Sequence, residues 1–237
     1  MKQGDLLYQG KAKSVYRTDS DDELLVVFRD DITAFDGQKK NVLQGKGVYN
    51  AKVTAYFYPL LEKHGIPTHF LSAVNANTHR VRRLRMVPLE VIVRNRAAGS
   101  LVRNYPFTEG QPLNPPLIVI DAKDDSRHDP MINDDIIVAL GLVTREQLAE
   151  IKRLALAINE VLRENLAAKD IDLVDMKFEF GFDSAGVLRL GDEISMDSLR
   201  LWDHGVVGAS LDKDVYRKEL GDVMDAYAAV TRRIVGE

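Results

Sequence analysis

Residues 171–193 read IDLVDMKFEFGFDSAGVLRLGDE. Two apolar, β-rich runs flank Asp183-Ser184-Ala185-Gly186, a cluster of turn formers, so the stretch reads as a β-hairpin. Alternate side chains of a strand point to opposite faces. Val174, Met176, Phe178 and Phe180 then share one face, and Asp175, Lys177 and Glu179 share the other. The charged face is either simply wet or part of a site. With residues 183–186 as the loop, Lys177 faces Asp192 and Glu179 faces Leu190. That register gathers Asp175, Lys177, Glu179 and Asp192 on one patch. Carboxylates with a lysine, and with neither histidine nor cysteine, suit a hard ion such as Mg2+, which usually arrives with substrate phosphates.

Working outward, residues 5–29 read as strand, turn, strand, turn, strand: LLYQ, GKAK, SVYRT, DSDDE, LLVVF. Residues 47–63 read as a helix that stops before Gly65, with a kink or break expected at Pro59. IPTHFL and HRVRRLRMVPLEVIVRN read as strands, with Pro88 marking a bulge or an edge. Residues 104–135 hold five prolines and read as a long ordered loop or series of turns. Thr144 and Gln147 form a capping box. Leu148, Ile151, Ala155, Ile158 and Leu162 line one face of the helix that follows. The last 25 residues read as one helix, with Tyr216, Leu220, Val223, Tyr227, Val230 and Ile234 on a face packed on the core or on a second subunit. Strand segments dominate the front and helices come later, without βαβ alternation. The fold class expected is α+β, with a domain boundary near residue 85.

The 237 residues are 45% hydrophobic, enough for a substantial core. A net charge of −4 makes the chain a poor general binder of phosphate backbones, so any anion site must be a local basic cluster, and nucleic acid is not the expected partner. The absence of cysteine excludes thiol nucleophiles, disulfides and zinc–thiolate sites. With no run of about 18 apolar residues and no signal-peptide pattern at MKQGDLLYQG, the expectation is a cytoplasmic chain without membrane attachment.

Three further stretches carry candidate chemistry. YQGKAKSVY puts Lys11 and Lys13 in a hairpin turn, either as a polyphosphate clamp or as a solvated basic turn. The common nucleotide-binding glycine motifs are missing, and QGKGVYN offers only G-x-G. EVIVRNRAAGS, residues 90–100, puts Ile92, Arg94 and Arg96 on one strand face and ends in Ala97, Ala98, Gly99 and Ser100. Arginine forks suit phosphate or carboxylate oxygens, and the small residues read as clearance for a ligand. SMDSLRLWD, residues 195–203, adds Asp197, Ser198 and Arg200 as a structural pair or a second arm of an anion site. RDDITAFDG carries Asp30, Asp31 and Asp36 after an apolar strand.

Taken in order, GKAKSVY, TAFDG, VIVRNRAAGS, HDP, LVDMKFEFG and GDEIS-D-LRLWD resemble the phosphoribosylaminoimidazole-succinocarboxamide synthase (SAICAR synthetase) family over nearly the whole chain. The resemblance implies an α+β fold with a small N-terminal β-rich, kinase-like lobe (residues 1–84) on a larger ATP-grasp-like lobe (residues 85–237), ending in a C-terminal helix. It implies an ATP-dependent ligase of purine biosynthesis, commonly a homodimer, that joins L-aspartate to the carboxylate of carboxyaminoimidazole ribonucleotide (CAIR). Carried over by position, Lys11, Ala12, Lys13 and Lys123 would hold ATP phosphates and Met86 would touch adenine. Glu179 and Asp192 would bind Mg2+. Arg94, Ser100 and Arg200 would hold the nucleotide 5′-phosphate, Asp197 its ribose hydroxyls, and Arg217 a substrate phosphate. Asp36, Asp175 and Lys177 would surround the reacting carboxylate, and RHDP at 127–130 is a candidate for holding aspartate. Met196 stands where the family pattern has proline, which removes a fixed φ angle. Rival readings are a different ATP-dependent phosphotransferase or ligase, or a nucleotide-binding module without turnover.

Overall fold

Turn formers at 10–12 and 18–22 divide the front of the chain into β1 (Leu6–Gln9), β2 (Lys13–Arg17) and β3 (Glu23–Phe28), as the alternation predicts. The computed structural model describes residues 3–34 and 38–236. A short ribbon follows, β4 (Asp31–Ala34) against β5 (Lys39–Val42). Helix α1 (Lys46–Lys63) then runs through Pro59 without the break that is one of the two outcomes expected there. Val53, Phe57, Tyr58 and Leu61 are fully buried along it, and this packing outweighs one missing donor. β6 (Phe70–Asn75) and β7 (Thr78–Arg82) complete a five-stranded antiparallel sheet in the order β1-β2-β3-β7-β6.

The second half is built on β8 (Arg85–Met86) and β9 (Leu89–Arg96), with Pro88 in the gap between them rather than inside a strand. After α2 (Ser100–Asn104) comes a correction. About a third of the proline-rich stretch is not a loop but an eleven-residue strand, β10 (Pro112–Ala122). It lies at the edge of its sheet, and the register slips between Pro112 and Leu117, where Pro115 and Pro116 fall. An edge strand with an irregularity is where a sheet tolerates residues that lack an N–H.

Helices α3 (Asp134–Ala139) and α4 (Arg145–Ala167) follow, the latter opened by the complete Thr144–Gln147 capping box. Its predicted stripe is buried in full, joined by Leu154 and Leu166. The stripe packs on the apolar faces of β9 and of β11 (Ile171–Phe178) in one continuous core. The chain breaks at Glu179 into β12 (Phe180–Phe182), which turns into β13 (Leu188–Leu190). β14 (Leu199–Asp203) pairs with β11, so the sheets are β10-β9-β11-β14 and β13-β12-β8. The expected hairpin is therefore shorter and shifted by one. Phe180, not Glu179, pairs with Leu190, because Asp183 N–H closes a longer loop on Val187 O. On β11, whose register is fixed by β9 and β14, Asp175 and Lys177 share a face as predicted, but a register shift between Leu173 and Asp175 turns Val174 toward Ala98 and Trp202 and puts Leu173 in the main core instead.

The last segment also differs from expectation. It is two helices, α5 (Asp214–Lys218) and α6 (Val223–Val235), separated by Glu219 at φ 55° and Gly221 at φ 154°. Asp222 caps α6 by accepting from the N–H groups of Met224 and Asp225, and Leu220 is exposed rather than on the core stripe. The apolar spacing concealed a Gly-Asp start signal.

Thr144→Ala removes one half of the capping box at an exposed helix end. It should lower the unfolding free energy by about 1 kcal/mol in urea titration and leave ligand binding intact. An unchanged midpoint would mean that packing of α4 alone sets its start.

Candidate active site

A cavity of about 500 Å3 opens between the five-stranded sheet and the second half of the chain. Val15, Leu24, Val26, Val81, Leu84 and Met86 line it with apolar surface, which suits a flat base. Lys11, Ala12 and Lys13 from the β1–β2 turn, together with Lys123, Lys177, Glu179 and Asp192, supply its charged lining. The lysine turn, the strand β11 and the segment after β13 are thus brought together from far apart in the chain.

The charges are laid out in opposite-sign contacts. Lys13 Nζ donates to Asp192 and, at 2.7 Å, to Glu193 Oε1. Lys177 Nζ donates to Glu90 Oε1 at 2.6 Å and to Glu179 Oε1 at 2.9 Å, and Lys123 Nζ donates to Glu179. Burial alone would push the Lys177 ammonium down. Glu179, Asp192 and Glu90 more than offset this and hold it above the usual lysine range. Lys13 is raised in the same way by Asp192 and Glu193. Burial would raise Asp192, but Lys13 and Lys177 hold it well below the usual carboxylate range. Asp192 sits at φ 57°, a left-handed conformation that aspartate adopts more readily than most residues. His69 also lines the cavity, and burial lowers its pKa to about 3, so it is neutral.

One step along β11 the pattern changes sign. Asp175, two residues before Lys177 on the same face, is not part of the lysine cluster. It accepts from Arg94 Nη1 at 2.8 Å and from Arg200 Nη1. Ser100 Oγ accepts from Arg94 Nη2 at 3.0 Å. Arg94 is 5% exposed, and its buried Nε has no hydrogen-bond partner among the described residues. Arg200 Nε donates to Asp214 Oδ2 at 3.0 Å, and Arg217 Nη1 to Asp214 Oδ1 at 2.7 Å. Arg96, on the same strand face, instead donates to Gly110 O and Asp172.

The small residues of 97–100 have a different use from the one expected. Ala97 and Ala98 are buried, Ala98 against Val174 and Trp202. Gly99, at φ 59°, makes room for a side chain of the protein: an added Cβ would stand 2.9 Å from Arg200 Nη2. Asp197 lines the cavity and accepts from Lys46 Nζ at 2.5 Å and Tyr227 Oη at 2.8 Å. Its turn does not depend on a proline, because Ser195 Oγ accepts from Asp197 N–H and Met196 is packed in the core. Asp36 lies outside the described residues.

Glu90, Lys46, Lys213, Asp214 and Tyr227 were not read as site residues. Glu90 had a signal, a lone acid on the face that also bears Arg94. Tyr227 had none, since its spacing is that of a core residue. Two carboxylates of the cavity, Glu179 and Asp192, offer hard oxygen donors. Among the described residues, three or more acidic, histidine or cysteine side chains do not come together as a metal cage.

The family model of SAICAR synthetase matches residues 6–234. The phosphoribosylaminoimidazole-succinocarboxamide synthase of Methanoculleus marisnigri is 61% identical over 235 residues, which cover 99% of this chain and 97% of that one. Among solved structures, a SAICAR synthetase in complex with ADP superposes with a TM-score of 0.94 at 46% identity, covering 97% of each chain. The SAICAR synthetase of Pyrococcus horikoshii OT3 gives 0.91 at 46% identity, covering 95% of this chain and 98% of the other.

Asp212, behind Arg200 and Asp214, gives the cluster a pH signature. Burial first, and then the neighbouring Asp214 carboxylate, raise its pKa from 3.8 to about 7. The folded chain therefore holds a proton that the unfolded chain releases. Stability from this group is complete below about pH 4 and is lost as pH rises through 7. Asp212→Asn carries no such proton, so its melting temperature should fall less than that of the parent between about pH 5 and pH 8. Parallel pH profiles for the two proteins would rule the assignment out.

Proposed function

The chain belongs to the SAICAR synthetase family, and from that premise we propose how its cavity performs the family reaction. It is an ATP-dependent carbon–nitrogen ligase of purine biosynthesis. It joins L-aspartate to the carboxylate of CAIR and releases SAICAR, ADP and phosphate. One observation carries the reading: lysines, paired carboxylates and an apolar wall share one cavity, and buried Arg94 and partly buried Arg200 meet on Asp175, two residues before Lys177 on β11. ATP as co-substrate is further supported by the ADP complex of a similar protein.

The apolar wall with Met86 receives adenine, and Lys11, Ala12, Lys13 and Lys123 receive the phosphates. Lys13 and Lys123 can share their donors between carboxylate and phosphate oxygens. Arg94, Ser100 and Arg200 take the 5′-phosphate of CAIR, with Arg217 alongside and Asp197 on the ribose. Asp175 holds the two arginine forks in one orientation. Lys177 and Asp175 lie toward the reacting carboxylate, and the family resemblance gives Asp36 a role there as well. The nucleotide lies between residues 1–84 and 85–237, the active chain is a cytoplasmic homodimer, and its partners are these small molecules.

A CAIR carboxylate oxygen attacks the γ-phosphorus of ATP, giving an acyl phosphate and ADP. The aspartate nitrogen then adds to the acyl carbon, loses a proton and expels phosphate. Neither step needs a protein nucleophile, in keeping with a chain that lacks cysteine. The protein orients three substrates and neutralises phosphate charge. Orientation alone is worth roughly 7–11 kcal/mol. The oxygen donors of Glu179 and Asp192 fit Mg2+, which takes one or two carboxylates and completes its shell with phosphate and water. When bound, it neutralises charge developing on the transferred phosphoryl group.

ADP release should require both CAIR and aspartate when each is omitted in turn. Release without aspartate would favour a phosphotransferase. Asp192→Asn keeps the size and left-handed tolerance of the residue, and should lower kcat about a hundredfold while the fold is retained. Near-normal kcat at saturating Mg2+ would sink the metal assignment. Arg94→Ala removes charge-assisted bonds worth about 2 kcal/mol, so KM for CAIR should rise about thirtyfold and KM for ATP little. Equal effects on both constants would remove Arg94 from the phosphate site.

A further inference from the structure

Helix α1 begins with a lysine that is entirely out of solvent. Lys46 is 0% exposed, and the two glycines beside it explain how it gets there. Gly45 enters the helix at φ 88°. Gly47 lies so close to β3 that an added Cβ would stand 2.5 Å from Phe28 O. The Asp30 carboxylate accepts from both glycine N–H groups at 3.0 Å and fixes the turn. The G-x-G of QGKGVYN thus works as a hinge that drives the intervening ammonium inward, toward Asp197 Oδ2 at 2.5 Å.

The other oxygen of Asp197 is held from the opposite end of the chain. Tyr227, on the core face of α6, is fully buried and donates its hydroxyl to Oδ1 at 2.8 Å. A buried ion pair is no general source of stability, since apolar residues of the same size often serve as well. What this one settles is the rotamer and the charge of Asp197. Burial would raise the Asp197 carboxyl, but Lys46, Lys213 and the Tyr227 hydroxyl hold it below its ordinary range. Described residues take two of its roughly four acceptor positions, and the carboxylate borders the cavity.

We infer that Lys46 and Tyr227 are positioning residues for the nucleotide substrate, which lock Asp197 as an ionised acceptor for ribose hydroxyls and so tie α1 and α6 to the cavity. The inference rests on the role proposed above for Asp197. Neither residue touches substrate; both act through the carboxylate.

Tyr227→Phe deletes one hydroxyl and keeps the packing. It should raise KM for CAIR about five- to tenfold, with kcat and KM for ATP within twofold of the parent. The effect should vanish with a CAIR analogue that lacks the ribose hydroxyls. Lys46→Met should act in the same direction, and Lys46→Arg should recover part of the loss. A lower melting temperature with unchanged KM for CAIR in Tyr227→Phe would make the contact structural only and overturn the inference. Asp197→Asn separates the two layers. If it raises KM for CAIR and Tyr227→Phe does not, the positioning role alone fails. If Asp197→Asn leaves KM for CAIR unchanged, the ribose assignment fails and the inference falls with it.

Discussion

The charged face of β11 cannot be left half-paired. Asp175 and Glu179 are almost completely buried, and a lone buried carboxylate would take up a proton or unfold its surroundings. Each is therefore met by cations: Arg94 of β9 and Arg200 of β14 on Asp175, and Lys177 of β11 itself with Lys123, just past β10, on Glu179. This requirement links β9, β10, β11 and β14 across their polar face as firmly as α4 links β9 and β11 across the apolar one. It also produces a surface rich in ionised donors and acceptors of both signs, which is what a reaction between anions needs.

The strand break at Glu179 makes the geometry possible. β11 ends in one sheet and β12 begins in another, so the charged row runs off the sheet edge into the cavity rather than continuing along a flat face. Gly191 N–H donates to Glu179 O at this junction, and Tyr58 donates to Gly191 O at 2.7 Å. The next residue, Asp192, turns its carboxylate toward Lys13. A helix of the first half of the chain therefore supports the carboxylate corner of the second half, and the apolar core runs unbroken through Phe57, Phe70, Leu89 and Phe180.

Much of this was legible in the chain. Alternation assigned Asp175 and Lys177 of β11 to one face, because a period of two holds wherever no irregularity interrupts the strand; it failed at Val174, beside the register shift. The capping box and stripe of α4 were legible because they are local. Errors fell where pairing or a turn decided the outcome. The hairpin register slipped by one when the loop grew longer, the proline-rich stretch became a strand because it had an edge to occupy, and the last helix divided at a Gly-Asp signal hidden in an apolar repeat.

By itself the sequence determined the α+β class, the shared face of Asp175 and Lys177, the absence of thiol chemistry and the family, since composition, local period and motif are carried by neighbouring residues. The tertiary structure alone decided which charges meet. Lys13 lies 179 residues from Asp192, Lys46 lies 151 from Asp197, and Arg94 lies 81 from Asp175. No local pattern encodes such pairs. They follow from burial, which brings distant ionisable groups out of water and leaves each stable only beside a partner of opposite charge.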